Sequence, residues 1–308
     1  MMAVPPHATC AVTAVVPVHA RVEKALKTLQ TIHDCNPRPA EVLVHADGGS
    51  LDVVSTIRSH WPEVRILESK TLIGPGGGRN RLVHEASHEL VANFDDDSFP
   101  ASPDYFARIL ALAEHFPDAA AFSAASQESE ANTPHFLGIS CASGCGCVFR
   151  KSWFTRTMGF VPLPIAYNME EVDVGLQLHA LGGVIVLDPQ LRVIHDNTAD
   201  LSVKVHVGAT VLANTVLLPA LRYPFWLWPL ALVHLGSLMW NYFQRGWSAC
   251  LLPGLRMIPS HILQHWQFRK PVSSWAVFSW LYLRRHPRPL GNVDVAWPPH
   301  TSSTSFAR

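Results

Sequence analysis

Three consecutive carboxylates, Asp95-Asp96-Asp97, follow an apolar stretch of the chain. Such a cluster costs stability unless a cation neutralises it, because like charges at close range repel one another. Asp95 and Asp97 are two residues apart, so on an extended segment their side chains point the same way and can share one ion. Hard oxygen ligands suit Mg²⁺ or Mn²⁺, which also bind phosphate oxygens. The alternative is an ordinary turn or helix cap, since Asp and Ser are common in both.

A second acidic cluster, Glu170-Glu171-Val172-Asp173, begins a helix predicted over residues 170–181. Carboxylates in the first turn of a helix are favoured by the helix dipole, and this alone can explain them. The functional alternative is that one of them is a general base, which takes the proton from a substrate hydroxyl.

Two further features are compatible with phosphate and metal chemistry. His195 follows an apolar strand and is either a structural residue or a third Mn²⁺ ligand, if the sheet brings it near Asp97. The run Gly-Pro-Gly-Gly-Gly-Arg-Asn at 74–80 resembles a phosphate cradle in which Arg79 pairs with phosphate oxygens, or else is a plain turn. It lacks the Gly-Lys-Ser/Thr of a Walker A loop, and it does not follow the first strand as a dinucleotide fingerprint must.

Alternating strands and helices surround these clusters and predict one domain over residues 1–205. Strands are predicted at 11–18, 41–46, 64–67, 89–94, 119–123, 184–187 and 191–195, and helices at 80–88, 105–115 and 170–181. This alternation predicts an α/β fold with a mostly parallel sheet and helices on both faces. Ligands of such sheets bind beyond the carboxyl ends of the strands, where Asp47 and Asp95–Asp97 fall.

The last third of the chain has a different composition. From residue 219 onward it carries nine Lys and Arg, one acidic residue and eight of the ten Trp, whereas residues 1–218 carry 15 basic and 23 acidic residues. Apolar helices are predicted over 206–286, followed by a loose tail over 287–308. We expect these helices to lie on a membrane surface, with Trp at headgroup depth and Arg against anionic lipid. A true span, for which the uncharged stretch 224–243 is long enough, and a helical subdomain or dimer interface are the alternatives.

The composition gives only limited information about the cellular compartment of the protein and about its binding partners. Three of the six Cys lie within 141–147, but their spacing matches no zinc pattern, so we expect small packed residues in a reducing compartment. The N-terminus has no charged region followed by an apolar one, so a cleaved signal is not expected and the catalytic part should face the cytosol. The formal net charge is zero, which gives no indication of nucleic-acid binding.

The order and spacing of these clusters over about residues 9–200 resemble those of the family 2 glycosyltransferases, which have the GT-A fold. That group includes rhamnosyl-, galactofuranosyl- and dolichyl-phosphate sugar transferases. The matching segments are 15–18 (opening strand), 41–50 (Asp-Asp-Gly-Ser), 74–80 (Asn-x-Gly…Ala-Arg-Asn), 94–97 (Asp-x-Asp), 144–150 (the strand beside the acceptor cleft), 168–178 (Glu-Asp-x-Asp-Leu-x-x-Arg-Leu) and His195.

The resemblance implies an inverting transferase that moves a sugar from a nucleoside-diphosphate sugar to a hydroxyl of a glycan or lipid-linked acceptor, at the cytoplasmic face of a membrane. Its metal ligands for Mn²⁺ or Mg²⁺ would be Asp95, Asp97 and His195. Its base would be Glu171 or, as the second choice, Asp173. The residues implied for binding the nucleotide sugar are Pro17, Val18, Asp47, Gly78, Arg79, Asn80 and Asp96.

The chain also departs from the family pattern. Ala46 replaces the first acidic residue of the Asp-Asp-Gly-Ser segment, Glu171 stands where many members have Asp, and Gln177 replaces an Arg. A metal-dependent nucleotidyltransferase or an NAD-dependent oxidoreductase would place a glycine-rich loop after the first strand, where this chain has Val18-His19-Ala20-Arg21. A sugar-nucleotide-binding protein without transferase activity is the other alternative, and the retention of both acidic clusters argues against it.

Overall fold

One mixed sheet organises the chain. The computed structural model describes residues 8–49, 51–125, 133–167, 169–196 and 204–292. The strands are β1 Thr9–Val18, β2 Arg38–Ala46, β3 Arg65–Glu68, β4 Leu90–Asn93, β5 Ser98–Pro100, β6 Ala119–Ala125, β7 His135–Ile139, β8 Cys147–Arg150, β9 Val184–His195 and β10 Arg288–Asn292. The sheet order is β10-β7-β9-β6-β8-β4-β1-β2-β3, and β5 pairs with β9 beside it.

Helices cover both faces of this sheet. They are α1 Val22–His33, α2 Leu51–His60, α3 Gly74–Glu85, α4 Tyr105–His115, α5 Lys151–Phe154, α6 Glu170–Ala180, α7 Val205–Arg222, α8 Pro229–Gln244, α9 Leu251–His265 and α10 Ser274–Arg285. Successive side chains of β1 alternate between two apolar cores, because strand side chains point to opposite faces in turn. Ala14, Val16 and Val18 pack with α1, α2 and α4, whereas Val15 packs with α3 and α6. The predicted α/β architecture, with a mostly parallel sheet covered on both faces, is therefore confirmed.

Strand direction divides the sheet into two parts. The pairs β1–β2, β1–β4 and β2–β3 are parallel, so the carboxyl ends of these strands meet at one edge. Beyond β4 the sheet is mixed: β8 runs antiparallel to both β4 and β6, β6 and β9 are parallel, and β7 runs antiparallel to β9. The parallel part therefore presents Asp47 and Asp95–Asp97 at the same edge.

Several element boundaries differ from the sequence prediction. Helix α3 begins at Gly74, so the glycine run forms its first turn and does not precede it. The two strands predicted at 184–187 and 191–195 are one strand, β9. The loose tail predicted from 287 is wrong for Arg288–Asn292, which pair with β7 as β10. The polar composition of residues 127–134 predicts an exposed loop. Most of this stretch lies outside the residues that the structure describes.

The C-terminal helices pack on the sheet-containing part of the chain through a shared apolar core. Its members come from both sides: Val161, Leu163, Met169, Val172 and Leu176 with Leu217, Leu221, Tyr223, Val277 and Trp280. Within the described residues, one helix, α7, is long and apolar enough to cross a membrane, but 61% of that window is buried inside the fold. The uncharged stretch 224–243 is broken, because a 3₁₀ turn at Phe225–Leu227 precedes the 16-residue α8.

Candidate active site

A cleft of about 560 Å³ lies at the carboxyl ends of the parallel strands. Strand β1 ends at Val18 on its wall, and Asp47 and Asp95 follow the ends of β2 and β4. The start of α6 and the segment before it also line this cleft. The residues predicted from sequence that line the cleft are Pro17, Val18, Asp47, Arg79, Asp95, Asp96, Asp97, Glu171 and His195.

Asp95, Asp97 and His195 form one group in this cleft. One ligand atom from each lies within 4.8 Å of the others, and His195 Nε2 is 3.2 Å from Asp97 Oδ1. The antiparallel pairing of Ser98 with His195 brings the end of β9 alongside the aspartates. The segment 95–97 is a turn and not the extended run expected from sequence: Asp95 N–H donates to Ser98 Oγ at 2.7 Å. The two carboxylates nevertheless converge.

This group fits a divalent cation. Two carboxylates and one imidazole are a suitable set of ligands for Mn²⁺. Mg²⁺ prefers oxygen ligands and would bind mainly the two carboxylates. Asp97 is buried, and its carboxylate pairs with Arg21 and lies 3.8 Å from Lys24 Nζ. Asp95 pairs with Arg79. Arg21 and Lys24 on one side and Arg79 on the other therefore offset part of the negative charge of the aspartates. Such positive neighbours are expected where several carboxylates lie close together.

Glu171 lines the same cleft as the metal group. Its carboxylate lies so close to Gly144 that a Cβ added at that glycine would overlap Glu171 Oε1. Burial raises the pKa of Glu171, and the charge of Arg79 opposes that shift. A carboxyl with a raised pKa beside a cleft is suited to accept a proton near neutral pH.

Glu170, the neighbour of Glu171, has a different environment. Its Oε2 accepts a hydrogen bond from Arg79 Nη1 at 2.7 Å, and both side chains are buried. Because Arg79 also bonds Asp95, this arginine links the two acidic clusters of the sequence. Burial raises the pKa of Glu170 to about 7, while Arg79 opposes that shift.

Asp173, the second choice for the base, does not reach the cleft. It is fully buried, and Arg222 holds both of its oxygens, with Nε to Oδ1 at 2.5 Å and Nη2 to Oδ2 at 2.8 Å. Gln177 Nε2 donates to the same carboxylate at 3.0 Å. The expectation that Asp173 is an alternative base is therefore corrected, because its side of the helix faces the C-terminal helices and its oxygens are already bound there.

Gly78 and Asn80 also have structural environments and lie away from the cleft lining. A Cβ on Gly78 would be 2.6 Å from His45 Nδ1, so this glycine lets α3 pack closely on β2. Asn80 Nδ2 donates to Phe160 O, and Phe160 N–H donates to Asn80 Oδ1, both at 2.8 Å. These contacts give both residues a role in the scaffold behind the cleft, and their predicted contacts with the nucleotide sugar remain predictions.

Asp47 and Asp96 lie on the cleft wall with their carboxylates already bonded to protein groups. Asp47 accepts from Ser69 Oγ at 2.7 Å, Ile73 N–H at 3.0 Å and Gly74 N–H at 2.8 Å. Asp96 is held by Arg21 through two hydrogen bonds. Burial raises the pKa of Asp96 to about 6, against the effect of Arg21. The predicted contacts of both aspartates with a nucleotide remain predictions.

Sequence reasoning misses several residues of the cleft. Arg21 belongs to no motif, although a basic residue just after β1 lies at the same edge as the aspartates. The sequence does not show that Glu170 and Glu171 have different roles, because nothing in the local pattern indicates which of two adjacent glutamates forms an ion pair. The remaining missed residues come from loops, the start of α3 and the C-terminal half, namely His19, Leu72, Gly74, Pro75, Pro164, Ile165, Ala166, Tyr167, His206 and Val207.

Comparison with known proteins agrees with this geometry. Residues 13–139 match the model of glycosyl transferase family 2. That segment includes the last six residues of β1, the Asp47 turn, the glycine run and Asp95–Asp97. Among curated proteins, none matches the chain by sequence.

Solved structures show the same fold at low identity. PcManGT, a mannosyltransferase from Pyrobaculum calidifontis solved with GDP-Man and Mn²⁺, is 14% identical with a TM-score of 0.55, over 90% of this chain and 87% of that chain. TarS 1-349 from S. aureus is 12% identical with a TM-score of 0.51, over 82% of both chains. GalNAc-T7, solved with UDP, GalNAc and Mn²⁺, is 11% identical with a TM-score of 0.55, over 89% of this chain and 57% of that chain.

The family match supports glycosyltransferase activity, and the solved structures support the assignment of the fold. Mn²⁺ is present in two of these neighbours, and the Asp95, Asp97 and His195 group of this chain fits such an ion. Residues 13–139 of the chain therefore match a family 2 glycosyltransferase domain, and the chain has the GT-A fold.

Proposed function

We propose that this protein is an inverting, metal-dependent glycosyltransferase that moves a sugar from a nucleoside-diphosphate sugar to an acceptor hydroxyl. One observation carries the proposal: a group of metal-ligand type and the Glu171 carboxylate, with its raised pKa, line the same cleft. The solved neighbours bound to GDP-Man or UDP support a nucleotide-sugar donor.

The donor side of the cleft is formed by Asp95, Asp97 and His195, which would hold Mn²⁺ or Mg²⁺. When bound, such an ion supplies Lewis-acid stabilisation of the charge that develops on a diphosphate leaving group. Arg79 lies beside this group and is itself buried, so its charge acts through a medium of low polarity. With the ion in place, the two aspartates and His195 would orient the diphosphate through it, and Arg79 would add positive charge beside it.

On the acceptor side, Glu171 takes the proton of the attacking hydroxyl. As the acceptor oxygen bonds to the anomeric carbon, the bond from that carbon to the phosphate oxygen breaks, and its electron pair leaves with the nucleoside diphosphate. Attack from the face opposite the leaving group inverts the anomeric configuration, as in carboxylate-assisted inverting chemistry at sugars. Glu171 is suited to this step because Glu170 and Asp173 are both bound by arginines.

We also propose that the C-terminal helices lie on a membrane surface and bring the cleft near a lipid-linked acceptor at its cytoplasmic face. Only Ala231 and Tyr242 of α8 are buried, so most of this apolar helix is exposed or half-buried. Trp226 is 72% exposed and Trp275 is 78% exposed, and large exposed apolar patches mark interaction surfaces. The exposed apolar set also includes Phe225, Leu232, Val233, Trp240, Phe243, Leu252, Leu263 and Phe278.

Basic residues lie among these apolar side chains. Arg245, Arg256, Arg284 and Arg285 are all exposed. Apolar and aromatic side chains that enter the headgroup region, with Arg beside them, are what binding to an anionic membrane surface requires. This arrangement supports in-plane binding better than a span, because the uncharged stretch is broken before α8.

The proposed activity is tested by a thermal-shift screen of UDP-, GDP- and dTDP-sugars with and without Mn²⁺. A ligand that binds only the folded state raises its melting temperature according to occupancy. We expect one class of nucleotide to raise Tm, and the rise to require the ion. Nucleoside diphosphate release that increases when a lipid extract is added then identifies transfer. Binding without any release would instead support a sugar-nucleotide-binding protein.

A further inference from the structure

A buried ion pair joins the helix that carries Glu171 to the first C-terminal helix. Arg222, at the end of α7, contacts Asp173 of α6 through two hydrogen bonds, and both side chains are fully buried. The third branch of the same guanidinium donates from Nη1 to Phe268 O at 2.6 Å. A planar fork with two bonds to one carboxylate fixes both its position and its direction.

The first turn of α6 is held by apolar packing of Met169 and Val172 and by two ion pairs. Its N-cap residue, Met169, makes no capping hydrogen bond with its side chain, yet the turn carries three carboxylates. Arg79 pairs with Glu170, and Arg222 pairs with Asp173. Within the described residues, Glu171 has no ion pair, so two arginines hold the flanking carboxylates and leave Glu171 to face the cleft.

The residue at position 177 decides which helix supplies the positive charge beside Asp173. The related sequence motif has Arg at this position, one turn after Asp173, whereas Gln177 offers only a neutral amide, 3.0 Å from Asp173 Oδ2. The same amide bonds Gly159 O and Met158 N–H, which fixes it in place. The positive charge beside Asp173 therefore comes from a different helix, α7.

We propose that Arg222 is a positioning residue for the transfer step: it holds the first turn of α6 so that the Glu171 carboxylate rests on Gly144 and faces the acceptor. This inference rests on the proposed role of Glu171 as the base. Glu171 lies so close to Gly144 that there is no room for a Cβ there, and a rotation of α6 would change this contact and displace the carboxylate. Misplacement of a catalytic group by about 1 Å can cost about 100-fold in rate.

The test combines Arg222→Lys and Arg222→Gln with Glu171→Gln in a double-mutant cycle. Nucleotide affinity is measured from the Tm shift given by UDP, GDP or dTDP with Mn²⁺. The kcat for transfer is measured from nucleoside diphosphate release from the matching sugar nucleotide with a lipid extract. Lys keeps the charge but loses the fork, so it tests positioning even if Arg222→Gln does not fold.

We expect each Arg222 variant to lower kcat by about tenfold or more in the parent, with nucleotide affinity changed by less than about twofold. In the Glu171→Gln background, the same variant should lower kcat no further, because two changes that act through one group are not additive. Arg269→Gln is the matched control. Arg269 bonds Ala220 O and Tyr223 O in the same helical unit, so this change should lower Tm and leave kcat unchanged.

Each other outcome overturns a specific statement. A parent-like kcat in Arg222→Lys, with Glu171→Gln impaired, removes the positioning role and leaves the proposed base intact. Equal losses of kcat in both backgrounds show that Arg222 only supports the fold, which also overturns the inference. A parent-like kcat in Glu171→Gln instead refutes the proposed function on which the inference rests.

Discussion

The three carboxylates at the start of α6 differ in environment although they lie within four residues of one another. Glu170 is bound by Arg79 and Asp173 by Arg222, whereas Glu171 rests against Gly144 at the cleft. Tertiary contacts, and not side-chain type, therefore distinguish the proposed base from two structural carboxylates. The aspartates are not distinguished in this way, because Asp95, Asp96 and Asp97 each pair with an arginine, and only Asp95 and Asp97 converge with His195.

The pH dependence of transfer follows from the environment of Glu171. Burial raises its pKa, so as the pH falls through that raised value the carboxyl becomes protonated and can no longer accept a proton. We expect kcat to fall on the acid side at a pH above the ordinary range of a carboxyl. A pH profile of kcat checks this, and the acid limb should disappear in Glu171→Gln. A limb that persists unchanged in that variant belongs to another group.

Gly144 provides a second test at the residue scale. In Gly144→Ala the new Cβ would overlap Glu171 Oε1, so the carboxylate must move. We expect kcat for transfer to fall by about tenfold or more, while nucleotide affinity is retained. Gly236→Ala is the control, because nothing lies within 4 Å of that Cβ and Ala favours the helix it occupies. Equal activities of the two variants would contradict the close fit.

At the scale of elements, Asp47 connects the end of β2 to the start of α3. Its carboxylate accepts hydrogen bonds from one hydroxyl and two backbone N–H groups of the segment 69–74. Two backbone donors that would otherwise lack partners are therefore satisfied by a side chain from the neighbouring strand. This places α3, and with it Arg79, at the edge of the sheet where the aspartates lie.

We expect Asp47→Ala to lower the free energy of unfolding by about 1–3 kcal/mol, the usual cost of unsatisfied buried polar groups. Chemical denaturation measures this change. Ser69→Ala, which removes only one of the three hydrogen bonds, should cost less. If Asp47→Ala is as stable as the parent and loses only nucleotide affinity, the carboxylate serves the ligand and not the segment 69–74.

Elements are predictable from the sequence where local patterns determine them. The strand-helix alternation and the positions of Asp47 and Asp95–Asp97 follow from periodicity and from the edge rule for parallel sheets. The start of α3 is predicted too late because Gly-Pro-Gly-Gly-Gly favours a turn, and contacts with His45 and Phe160 override that preference. Asp173 is a candidate base by sequence because its partner, Arg222, lies 49 residues away, and no local pattern reveals that pair.

At the scale of the whole molecule, the inner and outer faces of the C-terminal helices differ in role. The inner faces share a core with the segment 161–176, so they contribute to one wall of the cleft. The outer faces expose large apolar and aromatic side chains. Removal of these helices would therefore damage the cleft as well as the proposed membrane surface, and point changes on the outer face are the cleaner test.

We expect the triple variant Trp226→Ser, Trp240→Ser and Trp275→Ser to bind anionic phospholipid vesicles much more weakly than the parent, because exposed Trp anchors at headgroup depth. Vesicle sedimentation measures the bound fraction. A parent chain that does not sediment with such vesicles contradicts the membrane proposal.

The matched control changes three exposed apolar positions outside the C-terminal helices, namely Leu51→Ser, Leu181→Ser and Val184→Ser. It removes apolar surface elsewhere on the molecule and should leave vesicle binding unchanged. If the control weakens vesicle binding as much as the Trp variant does, binding depends on the total exposed apolar surface and not on the outer face of the C-terminal helices.

In the proposed mechanism, the cleft as a whole combines a donor site that holds a metal ion with Glu171 as the base. Asp97→Asn and Glu171→Gln separate these two functions when both variants are measured for Mn²⁺-dependent nucleotide binding and for sugar transfer. We predict that Asp97→Asn loses both, whereas Glu171→Gln keeps binding and loses transfer by about two orders of magnitude or more. Transfer at the parent rate by Glu171→Gln, or by Asp97→Asn in excess chelator, would contradict this division of the cleft.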